Sequence, residues 1–148
     1  MVRVSKKYGN KLTADSDLKV LFKIRQFIKN HATCCGFNDS TAEQIALAVD
    51  EACTNLIKHA YFYEKGKRIH IEVDFETNQL VVKIKDDGNP FNPIEVTQPD
   101  MLEYLKKFNR GGLGIPIIHK IMDEILYLPS DNTHNFNILT LKKSLDNG

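Results

Sequence analysis

The sequence lacks the features that mark several classes of protein. It has no tryptophan, and its three cysteines (Cys34, Cys35 and Cys53) show neither the CxxC spacing of a zinc site nor the even count of a disulfide framework. No apolar run approaches the ~18 residues of a membrane span, and no basic-then-apolar start indicates a signal peptide. The 20 basic and 19 acidic residues nearly cancel, so the chain has no strong positive field of the kind that nucleic-acid-binding proteins use. We therefore expect a cytoplasmic protein with reduced thiols that binds neither a membrane nor nucleic acid directly.

The alternation of apolar and polar residues predicts an antiparallel hairpin. Apolar side chains occupy every second position from Arg68 to Glu76, and the same alternation returns from Leu80 to Lys85 after a turn at residues 77–79. One apolar face and one polar face are typical of a sheet that is covered on one side only. With 148 residues the chain is long enough for one domain, residues 1–148, with a single core.

Helices predicted from the periodicity of apolar residues can cover that sheet. Apolar residues at helical spacing predict three helices: one after a cap at Asp15 or Ser16, one from Ser40 to about Ala60, and one over residues 115–121. Ser40 and Glu43 have the spacing of a capping box. Residues 124–128 and 136–142 predict a closing hairpin. We expect an α+β protein, a two-layer α/β sandwich whose mixed, mostly antiparallel sheet is covered by helices on one face.

Glu51 and Asn55 lie one helical turn apart at the margin of the apolar face of the second helix. An asparagine oxygen is a neutral, hard ligand suited to Mg²⁺, and a glutamate beside it can orient or deprotonate a hydroxyl group. The pair is also compatible with an exposed glutamate next to an asparagine of no special role. His59 continues the line, and we assign it no chemistry.

Asp86 falls on the face of its strand that has to be apolar, because Leu80, Val82 and Ile84 share its parity. A buried carboxylate needs a hydrogen-bond donor, and the amino group of an adenine is a suitable one. Gly88 lets the backbone approach a flat ring closely. Asp87 points the other way and is expected to be solvated. The alternative is an ordinary Asp-Asp-Gly turn.

A glycine cluster precedes the third helix. Gly111, Gly112 and Gly114 form a loop whose backbone N–H groups can bind phosphates at a helix N-terminus, and Arg110 can clamp a terminal phosphate. The loop is not a P-loop, because the Lys-Ser/Thr pair is missing, and it is not a GxGxxG turn after a strand. The preceding segment, about 92–109, is predicted to be a lid.

In this order, Glu-x-x-x-Asn, Asp-x-Gly, a lid and Gly-x-Gly resemble the nucleotide-binding motifs of the GHKL superfamily, which includes gyrase, heat-shock chaperones, histidine kinases and MutL. The segments AVDEACTNLIKHAY, IKDDGNPFNP and RGGLGIPIIHKIMDEILY look most like those of the anti-sigma-factor serine/threonine kinases. The resemblance covers residues 12–143. It implies a Bergerat-like ATP-binding fold.

The resemblance also implies roles for single residues. By it, Glu51 is the catalytic base, Asn55 the Mg²⁺ ligand and Asp86 the residue that binds adenine, while Arg110 contacts the γ-phosphate. The other implied nucleotide contacts are Gly88, Gly112, Leu113, Gly114 and Asn137. Phe136-Asn137 stands where the family has Gly-Thr before the last strand. Either Asn137 replaces the threonine hydroxyl near adenine, or that contact is missing.

The resemblance implies a serine/threonine protein kinase that uses ATP and Mg²⁺, phosphorylates a small anti-anti-sigma protein, sequesters a sigma factor and works as a homodimer. Two alternatives stay open: a module that binds ATP without transferring phosphate, and a detached catalytic domain of a histidine kinase. Glu51 and Arg110 favour the kinase over the binding module, because binding alone needs neither a base nor a charge clamp. The absence of a two-helix phosphoacceptor segment is the expectation that speaks against the histidine kinase.

Overall fold

A five-stranded antiparallel sheet forms one layer of the computed structural model, which describes residues 10–92 and 114–145. The strands β1 to β5 comprise Lys11–Asp15, Arg68–Glu76, Gln79–Asp86, Glu124–Leu128 and Asn137–Ser144, and they lie in the order β1-β2-β3-β5-β4. Every pairing among these strands is antiparallel, so the mixed character that we expected is not found within the described residues. The reason is that β2–β3 and β4–β5 are hairpins, and β3 and β5 join the two hairpins in the antiparallel sense as well.

The β2–β3 hairpin is closed by Thr77 and Asn78, which have φ values of 53° and 59°. Two consecutive residues with positive φ are typical of a type I′ turn, whose twist matches that of the flanking strands. The turn sets the register in which Val73 pairs with Val82 and Ile71 pairs with Ile84. The apolar residues of both strands consequently lie on the same face.

Within the described part of the chain, three helices form the second layer. Helix α1 comprises Leu21–Cys34, helix α2 comprises Asp39–Asn55 and helix α3 comprises Gly114–Ile121. A short 3₁₀ turn at Leu18–Val20 precedes α1, a π turn at Leu56–Ala60 continues α2, and α2 packs against both of the other helices. Within residues 10–92 and 114–145, no helix is both long and apolar enough to cross a membrane.

The predicted helix caps were wrong. Asp17 caps the turn before α1 by accepting a hydrogen bond from the Lys19 backbone N–H, whereas the Ser16 hydroxyl donates to the backbone oxygen of Glu64 and accepts from the Lys67 N–H. Asn38 caps α2 by accepting from the Thr41 N–H at 2.8 Å. Asn38 is the residue with an extended backbone (φ −69°, ψ 166°), whereas Ser40 already lies inside the helix.

The core lies between the helices and one face of the sheet, as predicted. The fully buried aliphatic side chains come from both layers and include Ile24, Ile28, Ile45, Val49, Ile69, Ile71, Val73, Leu80, Val82, Ile118 and Leu141. On the opposite face Lys85 of β3 pairs with Glu72 of β2 at 3.1 Å, and Leu126 and Leu128 of β4 are exposed. The sheet is therefore covered on one face, and the buried row of β3 ends at Asp86.

Candidate functional site

Asp86 and Asn137 form the last pair of the β3–β5 ladder, on the buried face of the sheet. Asp86 is 6% exposed and Asn137 is fully buried. Oδ1 of Asp86 accepts two hydrogen bonds, from the Gly88 backbone N–H at 2.9 Å and from Nδ2 of Asn137 at 3.0 Å. Both bonds from described residues end on this one oxygen, so Oδ2 is left to accept from another donor.

The side chain of Asn137 forms hydrogen bonds with other groups of the protein. Besides Asp86, Nδ2 donates to the backbone oxygen of Gly88 at 2.9 Å, and Oδ1 accepts from the Ser130 N–H at 2.8 Å. These bonds use both amide protons and the oxygen. Asn137 thus joins the end of β3, the Asp86–Gly88 turn and the β4–β5 loop.

Burial dominates the electrostatics of Asp86. It raises the pKa of the carboxyl group because the charged form is desolvated, while the hydrogen bonds from Asn137 and Gly88 act in the opposite direction. The neighbouring negative charge of Asp87 raises the pKa further. A carboxylate at this position gains from a ligand that donates a hydrogen bond to it.

A small cavity lies beside Asp86, between the end of α2 and the sheet. It holds about 20 Å³ and is lined by Ala52, Asn55, Leu56, Ala60, Asp86, Phe91, Ile118, Tyr127 and Leu139. That volume suffices for a single water molecule, whereas ligand pockets usually hold ~300–1,000 Å³. A purine base requires the cavity to open.

Phe91, which lies in the chain segment after Gly88, forms one wall of this cavity. Its ring stacks on that of His59, with the centroids 4.5 Å apart and the planes 20° apart, and its backbone N–H donates to the Tyr127 hydroxyl at 3.1 Å. Burial lowers the pKa of His59, with a further contribution from the charge of Lys58, so the neutral imidazole is favoured. The imidazole of His59 thus packs against Phe91.

Helix α2 brings two of the predicted residues to the site. Asn55 is 5% exposed and lines the cavity, and Glu51 is half-buried one turn earlier. Burial, followed by the charge of Asp50, raises the pKa of the Glu51 carboxyl group, and Lys58 partly opposes the shift. A raised pKa suits a general base, because it strengthens the affinity of the carboxylate for a proton.

Gly88 is required by packing. A Cβ atom at this position would lie 2.6 Å from the backbone oxygen of Ala60 and 2.8 Å from Cδ1 of Tyr61, closer than real Cβ contacts. The π turn creates this approach, since it shifts the hydrogen bond of the Tyr61 N–H to the oxygen of Leu56, and the Asn89 N–H also donates to Ala60 at 2.9 Å. This tight contact lies between two chain segments, and the predicted contact of Gly88 with the ring of a nucleotide stays a prediction.

Tyr61 is a residue of the site that sequence reasoning missed. Its hydroxyl donates to the backbone oxygen of Arg68, accepts from the Asp87 N–H at 3.1 Å and lies 2.9 Å from Oδ1 of Asp87. Asp87 is exposed as expected, yet its backbone N–H and its carboxylate both contact the Tyr61 hydroxyl. Nothing in the local pattern distinguishes Tyr61 from an ordinary apolar residue at a helix end.

Residues 14–143 match the family described as the histidine kinase-like ATPase domain. The chain belongs to this family. Its relatives include the serine-protein kinase RsbW of Bacillus subtilis, which is 30% identical over 107 residues that cover 69% of this chain and 66% of that protein. RsbW of Listeria monocytogenes serovar 1/2a is 32% identical over 98 residues, which cover 64% and 62% of the two chains. The ATPase domain thus aligns with less than two thirds of the length of either relative.

A solved structure supports the fold. The histidine kinase domain of the Erythrobacter litoralis EL346 blue-light-activated histidine kinase matches this ATPase domain with a TM-score of 0.52 at 20% identity, over 86% of this chain and 60% of that one. The predicted GHKL-type fold and the predicted membership of that superfamily are confirmed.

The phosphate side of the predicted site falls mostly outside the described residues. Arg110, Gly112 and Leu113 lie there, together with the predicted lid at about 92–109 except for Asn92. Gly114 is the first residue of α3. The structure therefore brings together Asp86, Gly88 and Asn137 of the predicted adenine side, and it places Asn55, the predicted Mg²⁺ ligand, on the same cavity as Asp86. Glu51 lies one helical turn before Asn55.

Proposed function

We propose that this ATPase domain is an ATP- and Mg²⁺-dependent protein serine/threonine kinase of the anti-sigma-factor type. It acts in the cytoplasm as a homodimer, phosphorylates a small anti-anti-sigma protein and sequesters a sigma factor. The observation that supports it most is the buried Asp86, whose Oδ1 accepts both of the hydrogen bonds that the described residues donate to its carboxylate. The relatives named serine-protein kinase support phosphate transfer to serine.

Asp86 suits adenine by its chemistry. The 6-amino group of adenine donates a hydrogen bond to Oδ2, whereas guanine and hypoxanthine carry an oxygen at that position and would place two acceptors together. The aliphatic lining from Leu56, Ile118 and Leu139 suits the faces of a purine ring. Adenine entry moves Phe91 away from the cavity, because the closed cavity is too small for a base.

The phosphate side needs a cation and a clamp. The residues present fit Mg²⁺, since Asn55 offers a neutral oxygen ligand where the end of α2 borders the cavity. The ion, when bound, neutralises charge on the phosphates. Arg110 clamps the γ-phosphate, and the backbone of Gly112, Leu113 and Gly114 binds phosphate oxygens at the start of α3.

Glu51 is the proposed base. Its half-buried carboxylate, with a pKa raised by burial, orients the serine hydroxyl of the partner protein and accepts its proton as the oxygen attacks the γ-phosphate. Asp50, the adjacent carboxylate, pairs with Arg25 at 3.1 Å on a different side of the helix. The two carboxylates therefore differ in role although they are neighbours in sequence.

The test separates chemistry from binding. Glu51→Ala should keep ATP affinity within a few-fold but lower phosphate transfer to a small serine-bearing partner, recovered by pull-down, by the ~10²–10⁴-fold typical of a lost general base. Asn55→Ala should weaken Mg²⁺-dependent ATP binding and turnover together. Asp50→Asn is the matched control on the same helix and should leave the transfer rate close to that of the wild type. If the wild type transfers no phosphate to any small partner, or Glu51→Ala transfers it at the wild-type rate, the binding module is the better description.

A second candidate function is that of a catalytic domain that phosphorylates histidine, because the fold resembles that of a histidine kinase domain. Phosphoserine survives acid, whereas phosphohistidine is hydrolysed by it. Acid treatment of the labelled product therefore distinguishes the two. An acid-labile label would favour the histidine kinase.

A further inference from the structure

We propose that Asn137 is a positioning residue that fixes Asp86 so that the domain selects adenine over 6-oxopurines. The inference rests on the adenine site proposed above. It assigns Asn137 a role that does not require contact with the nucleotide, because its amide is already occupied by the protein.

The burial of Asn137 keeps its amide where it is. The side chain is fully buried, and turning it toward a ligand would break hydrogen bonds to three separate residues. A hydrogen bond that is broken in a buried environment without replacement is costly, because the polar group stays removed from water. Asn137 therefore acts on a nucleotide only through the groups it holds.

Ser130 determines which way the amide faces. Its backbone N–H donates to Oδ1 of Asn137 at 2.8 Å. Rotating the amide by half a turn would place Nδ2 against this N–H, so that two donors met, and would place Oδ1 against the carboxylate of Asp86 and the carbonyl of Gly88, so that acceptors met. The β4–β5 loop thereby keeps Nδ2 directed at Asp86.

The two hydrogen bonds to Oδ1 of Asp86 determine which ligand groups Oδ2 can bind. Two donors from different segments, Gly88 and Asn137, converge on Oδ1 and prevent the carboxylate from rotating. Oδ2 is then fixed as an acceptor, which suits an amino group. Without the donor from Asn137 the carboxylate can rotate or carry a proton, and a protonated carboxyl group can donate to a 6-oxo group. The predicted result is weaker discrimination between the two kinds of purine.

The experiment compares two nucleotides whose bases differ at the 6-substituent and in the proton that hypoxanthine carries on N1. ATP and inosine triphosphate have the same ribose and phosphates, and inosine triphosphate carries oxygen in place of the amino group. Calorimetry with Mg²⁺ should show that the wild type prefers ATP by about 10- to 100-fold. In Asn137→Leu, which has a similar size but no donor, the preference should fall to within a few-fold of one through loss of ATP affinity. Asn137→Thr, which returns one donor, should restore part of it.

A merely structural role predicts something different, namely that both affinities fall by the same factor and the preference survives. That result would overturn the inference, as would an unchanged preference in Asn137→Leu. Should circular dichroism show that Asn137→Leu does not fold, Asn137→Ala lacks the same donor without the bulk and is read in the same way. A wild type with no preference for ATP would overturn both the inference and the adenine site, whereas a preference that survives every Asn137 variant would overturn the inference alone.

A double-mutant cycle tests whether Asn137 changes the nucleotide preference through Asp86. If Asn137 acts through Asp86, then Asn137→Leu should change the preference little once Asp86→Asn is present. Equal effects of Asn137→Leu with and without Asp86→Asn would show that Asn137 touches the base directly, and would overturn the positioning role.

Discussion

Replacing Asp86 with asparagine exchanges one oxygen of the proposed adenine subsite for an NH₂ group. The asparagine oxygen can stay where Oδ1 is and keep accepting from the Gly88 N–H and from Asn137. The NH₂ group then takes the place of Oδ2, toward the cavity. Because this arrangement preserves the buried hydrogen bonds, we expect Asp86→Asn to fold.

The expected loss of ATP affinity follows from the bond that disappears. A hydrogen bond to a charged group contributes about 1.5–3 kcal/mol, and each 1.4 kcal/mol is about tenfold in affinity, so the dissociation constant for ATP should rise about 10- to 100-fold. The new NH₂ group faces the amino group of adenine, donor against donor. Toward inosine triphosphate the same NH₂ group donates to the 6-oxo group, so the preference between the two nucleotides should reverse.

Calorimetry with both nucleotides and Mg²⁺ is the assay, with thermal unfolding to confirm that each variant is folded. The matched control is Asp87→Asn, an exposed neighbour whose Oδ1 can still contact the Tyr61 hydroxyl. It should keep ATP affinity within a few-fold. Unchanged ATP affinity in a folded Asp86→Asn variant would refute the assignment of Asp86, and equal losses for both nucleotides would refute the geometry of recognition.

Three further predictions address the surroundings of Asp86. Gly88→Ala should lower the free energy of unfolding in urea by about 1–3 kcal/mol, because its Cβ would meet the backbone oxygen of Ala60 at 2.6 Å, and unchanged stability would contradict that packing. Tyr61→Phe should cost about 0.5–1.5 kcal/mol in the same assay with ATP affinity retained, since the hydroxyl bonds only protein groups among the described residues. Because burial raises the pKa of Asp86, ATP affinity should already fall with decreasing pH above the ordinary titration range of an aspartate, and a flat calorimetric pH profile would contradict this. The raised pKa also means that the free energy of unfolding should decrease as pH rises through the pKa of the folded protein. The same pH dependence of unfolding in Asp86→Asn would contradict that expectation.

The strand pattern was predictable because side-chain direction in a strand depends only on parity. The alternation from Arg68 to Glu76 predicted β2 with its observed bounds, and the same rule placed Asp86 on the buried face of β3. The helix caps were not predictable to the residue. Asn38 and Ser40 are both good cap residues, and only the extended backbone of Asn38 decides between them.

The sequence by itself determined the order of the motifs, the helices on one face of the sheet and the burial of Asp86, because each depends on periodicity along a short stretch of chain. Tertiary structure alone decided what surrounds Asp86. Asn137 lies 51 residues from it in sequence, and the contact that requires Gly88 comes from a π turn at the end of a distant helix. The closing of the cavity by Phe91 on His59 is likewise a contact between segments. Such contacts depend on the register of β3 with β5 and on how α2 ends, which no local pattern of residues encodes.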